Sequence, residues 1–167
     1  VETIVSNVLG QTAGSIERKN TVSDFTTEEK NRLSSCSLAI ASLDYGDYHL
    51  NLLDAPGNDD FVADIIGVLD MVKAAVLVLD ATKKIEVGTI KHYNMLKKHG
   101  IPTFIFVNKM DKELINFDAL LDQITETLGK KAVSFVYPLG KNENFDGFIN
   151  VISLKARKYD GTKSVDD

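Results

Sequence analysis

The chain has 167 residues, with 19 Lys and Arg against 24 Asp and Glu, a formal charge of −5 at pH 7. With 44% apolar and 26% charged residues it can fill the core of one domain, which excludes wholesale disorder. The acidic balance supplies no broad cationic field for a phosphate backbone, so direct nucleic-acid binding by this segment is not expected.

Val1, Ile4, Val5, Val8 and Leu9 form a helical stripe without a cap before it, so the sequence is expected to enter a helix part way along. Residues 10–33 are polar, carry too few apolar positions for a committed helix or strand, and exceed the usual connection length. A plain surface loop is one reading and a binding loop or mobile segment the other, with 16–34 expected to be the least ordered internal part. Leu38, Ile40 and Leu43, a turn at Gly46-Asp47, and His49 to Leu53 leading into Asp54 predict an antiparallel hairpin. A helix is expected over 61–72, with Phe61, Ile65, Val68, Leu69 and Val72 on one face.

Residues 74–79 and 103–107 are nearly unbroken apolar runs, as in strands covered on both faces. Between them a helix over about 86–98 should end on Lys97-Lys98-His99, with Gly100 taking a left-handed cap. A further helix spans 117–128, a strand 132–137, and 148–159 is of mixed character. The βαβαβ rhythm predicts an α/β fold with ligand groups beyond the carboxyl ends of the strands.

Three polar clusters fall at such ends. In Asp54-Ala55-Pro56-Gly57-Asn58 a carboxylate can hold Mg²⁺ through water, and glycine lets its N–H approach an anion closely. In Asn108-Lys109-Met110-Asp111 the aspartate can accept two N–H donors from one planar ring while Asn108 braces the loop and the Lys109 stem lies along the ring. Asp80-Ala81-Thr82 reads first as a turn former.

Other polar residues carry less. His49, His92 and His99 lack metal-ligand spacing and read as structural or surface residues. Asp59 and Asp60 suit the N–H groups of a helix start. Cys36, the one cysteine, excludes an internal disulfide and a cysteine-built zinc site and borders a strand, as a packing residue would. No stretch approaches the ~18 apolar residues of a membrane span. A cytoplasmic protein without a membrane partner is the expectation.

Asn108-Lys109-Met110-Asp111 resembles the guanine-recognition motif of translational GTPases. Asp54-Ala55-Pro56-Gly57-Asn58-Asp59-Asp60-Phe61 is similar to their Asp-x-Pro-Gly-His-x-Asp-Phe segment, and the likeness is to the G domain of elongation factor G and its paralogues. Asn20-Thr21-Val22-Ser23-Asp24-Phe25 and Pro138-Leu139-Gly140-Lys141 strengthen it. The resemblance implies a P-loop GTPase-like three-layer sandwich with a mostly parallel sheet, incomplete at both ends here. Residues 1–137 would be a partial G domain lacking the upstream phosphate loop, and 138–167 the start of an inserted subdomain.

The resemblance further implies GTP or GDP and Mg²⁺ as ligands and the ribosome as partner of the intact protein. Asn108 and Asp111 would read guanine, Lys109 would pack on the base, Asp54 and Ser35 would serve Mg²⁺, and the Gly57 N–H would meet the γ-phosphate. Two departures stand out. Asn58 occupies the place of the histidine that orients the attacking water, and no Gly-x-x-x-x-Gly-Lys-Ser/Thr sequence occurs in the 167 residues. A nucleotide-binding regulatory module with little hydrolysis is therefore one alternative, and a structural, partner-binding α/β domain another.

Overall fold

A computed structural model describes residues 1–113, 115–129, 132–140, 145–159 and 164–166. Lys141 of the Pro-Leu-Gly-Lys segment lies outside the described residues. The chain divides into two compact units, Val1–Val72 and Lys73–Asp167. No helix among the described residues is long and apolar enough to cross a membrane.

In the first unit α1 (Glu2–Leu9) buries Val5 and Ser6. Its Glu2 carboxylate reaches into the polar stretch, accepting the backbone N–H of Gly14 at 2.6 Å and of Val22 at 2.7 Å. That stretch contains a short helix the apolar spacing did not reveal, α2 (Thr27–Arg32). Thr26 and Glu29 start it as a reciprocal capping box, satisfying N–H groups a first turn leaves unpaired. A segment poor in apolar residues is thus tied down by polar groups.

β1 (Ala39–Tyr45) and β2 (Tyr48–Asp54) form the expected hairpin, in register from Ala39 opposite Asp54 to Tyr45 opposite Tyr48. Gly46 turns the chain at φ 58°, a backbone state that a Cβ would disfavour. After β2 comes a single 3₁₀ turn, Asp59–Phe61, then α3 (Val62–Val68). Phe61, Ile65, Val68, Leu69 and Val72 are all at least partly buried, as the spacing predicts, although the regular helix ends at Val68. Asp64 on α3 accepts the Leu38 N–H at 3.1 Å, fastening the helix to the start of the hairpin.

In the second unit β3 (Ala75–Asp80) and β4 (Thr103–Asn108) pair in parallel, Ala75 opposite Thr103 and Asp80 opposite Asn108. The crossover is α4 (Val87–Lys98), followed by Gly100 at φ 67°, the left-handed end its position predicts. α5 (Phe117–Leu128) has the expected bounds and supplies Leu120, Ile124 and Leu128, which pack with Leu79 as the buried core.

The described residues do not cover the two strands on both faces. Leu77, Leu79, Ile105 and Val107 face this core, whereas Val76, Val78, Phe104 and Phe106 are 56–63% exposed. An apolar run alone does not report which face is covered.

The strand expected at 132–137 lies at Val136–Leu139 (β5), and it does not extend the β3–β4 pair. It forms the edge of an antiparallel sheet with β6 (Gly147–Asn150), β7 (Lys155–Tyr159) and β8 (Ser164–Asp166), in that order. Pro138 has no N–H to donate, which an edge position tolerates. The mixed segment 148–159 resolves into β6 and β7.

Candidate functional site

In the first unit, Asp54 closes β2 and is half-buried, Pro56 is fully buried, and Gly57 and Asn58 emerge to solvent. Apart from its chain neighbours, no described residue lies within 4 Å of where a Cβ on Gly57 would be, so that place is open to an approaching group. The Asn58 side chain is engaged locally, its Oδ1 accepting the Asp60 N–H at 3.1 Å and so capping the 3₁₀ turn, while its carbonyl accepts the Phe61 N–H at 3.0 Å. Asp59 and Asp60 open that turn, as their sequence position predicts.

Ser35 is half-buried and donates its hydroxyl to Asp24 Oδ1 at 2.7 Å. Asp24 is only 7% exposed, and its other oxygen accepts the Thr21 hydroxyl at 3.1 Å. With its proton committed to Asp24, the Ser35 oxygen keeps lone pairs to offer a cation.

Glu29, which sequence reading passed over, is 0% exposed. Its Oε2 accepts the Thr26 N–H at 3.0 Å and hydroxyl at 2.6 Å. Its Oε1 accepts the backbone N–H groups of Cys36 and Ser37 at 3.0 and 3.1 Å and the Ser37 hydroxyl at 3.3 Å. Burial opposes its ionisation, but the hydrogen bonds from the Thr26 hydroxyl and from the N–H groups of Cys36, Thr26 and Ser37 outweigh it. They hold the carboxyl at about 2, below its ordinary 4.5. The signal was present in Thr26-x-x-Glu29, a capping-box pattern. Ser35 lies directly before the two N–H groups this carboxylate anchors.

In the second unit the β4 end delivers Asn108-Lys109-Met110-Asp111 in a tight loop. Asn108 Oδ1 accepts the Lys109 N–H at 2.9 Å, and the Lys109 carbonyl accepts the Lys112 N–H at 3.2 Å. Lys109 sits in the left-handed region at φ 63°, unusual for a residue with a Cβ and a mark of strain held at a loop. Asp111 is exposed, its carboxylate 3.7 Å from the Lys112 ammonium. The turn Asp80-Ala81-Thr82 is bonded to this loop, with Lys109 Nζ 2.7 Å from Asp80 Oδ2.

The donor set suits the expected groups. Asp54 and Ser35 offer oxygen ligands, the kind Mg²⁺ takes, and Mg²⁺ draws most of its remaining shell from water and phosphate. Among the described residues no three His, Cys, Asp or Glu side chains gather as a metal-holding group. An accessible carboxylate at Asp111, on a loop braced by Asn108, can accept the paired N–H donors of a guanine edge.

Residues 2–165 match the family model of the elongation factor Tu GTP binding domain. The chain is 38% identical over 141 residues to peptide chain release factor 3 of Staphylococcus carnosus (strain TM300), covering 84% of this chain and 27% of that protein. It is 36% identical over 149 residues to the mitochondrial ribosome-releasing factor 2 of Culex quinquefasciatus, covering 89% of this chain and 19% of that one. A crystal structure of a Thermus thermophilus protein superposes with a TM-score of 0.91 at 28% identity, over 99% of this chain and 25% of its own. The chain thus spans about a fifth to a quarter of these relatives.

Proposed function

Because this chain belongs to the elongation factor Tu GTP-binding domain family, with the α/β fold of a translational GTPase, we propose that it is the guanine-nucleotide part of an elongation factor G-like protein. In this reading the intact protein hydrolyses GTP while acting on the ribosome in the cytoplasm. The observation that carries it is the loop after β4, where Asn108 Oδ1 accepts the Lys109 N–H and Asp111 is exposed; in this reading Lys109 lends its stem to the base and Asp111 accepts the guanine N1–H and exocyclic amine. Asp54 and Ser35 would hold Mg²⁺, which would supply charge neutralisation at the phosphates, and the Gly57 N–H would meet the γ-phosphate. Asp24 orients the Ser35 hydroxyl, and Glu29 fixes the backbone beside it.

The change from the parallel β3–β4 pair to the antiparallel β5–β8 sheet supports a division into a nucleotide-binding part and an inserted part close to the proposed 137/138 boundary, with β5 belonging to the antiparallel sheet from Val136. The names of the relatives favour a role in releasing peptide chains or ribosomes over translocation alone. A second reading, nucleotide binding with little hydrolysis, draws on Asn58, whose side chain is committed to a cap.

The test is GTP binding and single-turnover hydrolysis by the intact protein, with and without ribosomes. Tight guanine-specific binding with ribosome-stimulated hydrolysis supports the proposal. Binding without hydrolysis under both conditions supports the regulatory reading, and no guanine binding overturns both. The 167 residues by themselves, having no phosphate-loop sequence, are expected to release phosphate at a negligible rate.

A further inference from the structure

We propose that Asp80 is a positioning residue for base recognition: its carboxylate holds the Lys109 ammonium so that the lysine stem is fixed as a ledge beside the loop that reads the base. This rests on the reading of residues 108–111 as the guanine loop.

The parallel register sets Asp80 opposite Asn108, and the Ala81 N–H continues the ladder past the strand ends by donating to the Asn108 carbonyl at 3.0 Å. Asp80 is itself held. Its Oδ1 accepts the Thr82 N–H at 2.9 Å and the Thr82 hydroxyl at 2.6 Å, which leaves Oδ2 for Lys109 Nζ at 2.7 Å. The Asp80 side chain is 23% exposed and that of Lys109 50%, so the pair sits at the rim, partly screened by water.

Lys109 is therefore pinned at both ends. Its backbone is turned left-handed and bonded to Asn108 Oδ1, and its ammonium is tied to Asp80. A lysine stem free to rotate loses considerable freedom when a planar ring lies on its methylenes; one already tethered loses less. The Lys109 ammonium first, then the Thr82 hydroxyl and N–H, hold the Asp80 carboxyl below its ordinary range, so the tether persists through the working pH range. The Asp80-Ala81-Thr82 turn thereby gains a role its sequence did not disclose.

The experiment is GDP affinity by titration calorimetry, with release rates, for the intact protein and for Asp80→Asn, Asp80→Ala, Lys109→Ala and the Asp80→Ala/Lys109→Ala double variant. Asp80→Asn keeps an acceptor for Thr82 while replacing the charged acceptor that faces Lys109 with a neutral N–H donor, and melting temperatures establish that each variant is folded. Either Asp80 substitution is expected to weaken GDP by about three- to tenfold through faster release, and Asp80→Ala to cost nothing further once Lys109 is alanine. An equal penalty in both backgrounds, or no penalty while Lys109 is present, assigns Asp80 no such role and leaves the proposed function standing. Wild-type protein that does not bind GDP overturns the proposed function and this inference together.

Discussion

The Glu29 carboxylate accepts the backbone N–H of Cys36 at 3.0 Å, joining the first turn of α2 to the chain that follows it. One buried anion thus organises the backbone around Ser35 in a segment with little apolar material to do so. Glu29→Ala would strand the N–H groups of Cys36 and Ser37, at a cost of about 3 kcal/mol judged from the penalty for unsatisfied groups. Urea denaturation reads this directly, and a loss well under about 1 kcal/mol would show that the anchor is dispensable.

The same group sets a pH dependence. Its carboxyl sits at about 2 in the folded chain against an ordinary 4.5, so between those values the unfolded chain binds the extra proton. The stability it contributes is full above the ordinary value and is lost as pH falls from 4.5 towards 2. Glu29→Gln should flatten that part of the stability profile, read by urea denaturation at stepped pH, without abolishing it, since Asp80 is shifted in the same direction.

Leu33 ends α2 in the left-handed region at φ 55° and is 50% exposed. A Cβ is disfavoured there and little apolar burial is at stake, so Leu33→Gly should stabilise the protein by about 0.5 to 1 kcal/mol. A lowered denaturation midpoint would mean that leucine packing outweighs the backbone term.

Asp111 offers a test of base selection in the intact protein. Asp111→Asn should weaken GTP about ten- to a hundredfold, the range expected on losing charge-assisted hydrogen bonds, and relatively favour xanthosine triphosphate, whose 2-keto group accepts from the new amide. Competition binding with the two nucleotides measures both effects. Unchanged GTP affinity without a gain for the xanthine nucleotide removes Asp111 from this role.

Asn58 combines two expectations. If asparagine limits the orientation of the attacking water, Asn58→His should raise ribosome-stimulated single-turnover hydrolysis while leaving nucleotide affinity nearly unchanged. Because Asn58 Oδ1 caps the 3₁₀ turn, the same change should lower stability by up to about 1 kcal/mol. A wild-type rate equal to or above that of the variant would show that position 58 is not limiting.

What the sequence disclosed followed from periodicity and turn chemistry. α5 was legible from Phe117, Leu120, Leu121, Ile124 and Leu128, and the hairpin from its apolar strands around Gly46-Asp47. α2 escaped because its order comes from Thr26 and Glu29 rather than from an apolar stripe. β5 was displaced because pairing with β6 is a nonlocal choice that its own residues do not encode. Asn108 and Asp111 could be singled out as a motif, whereas the Asp80–Lys109 bond spans 29 positions and exists only through the parallel register.

Val76, Val78, Phe104 and Phe106 form an apolar strip along one face of β3 and β4 that the other described residues leave exposed. Such a strip is adhesive in water, and two copies brought together by it would remove surface from solvent without unfolding. Concentrated solutions of the 167-residue chain should therefore cloud by self-association of folded molecules. A lysine at Val78, turned outward, should restore clarity while leaving the Leu79 side of the sheet untouched.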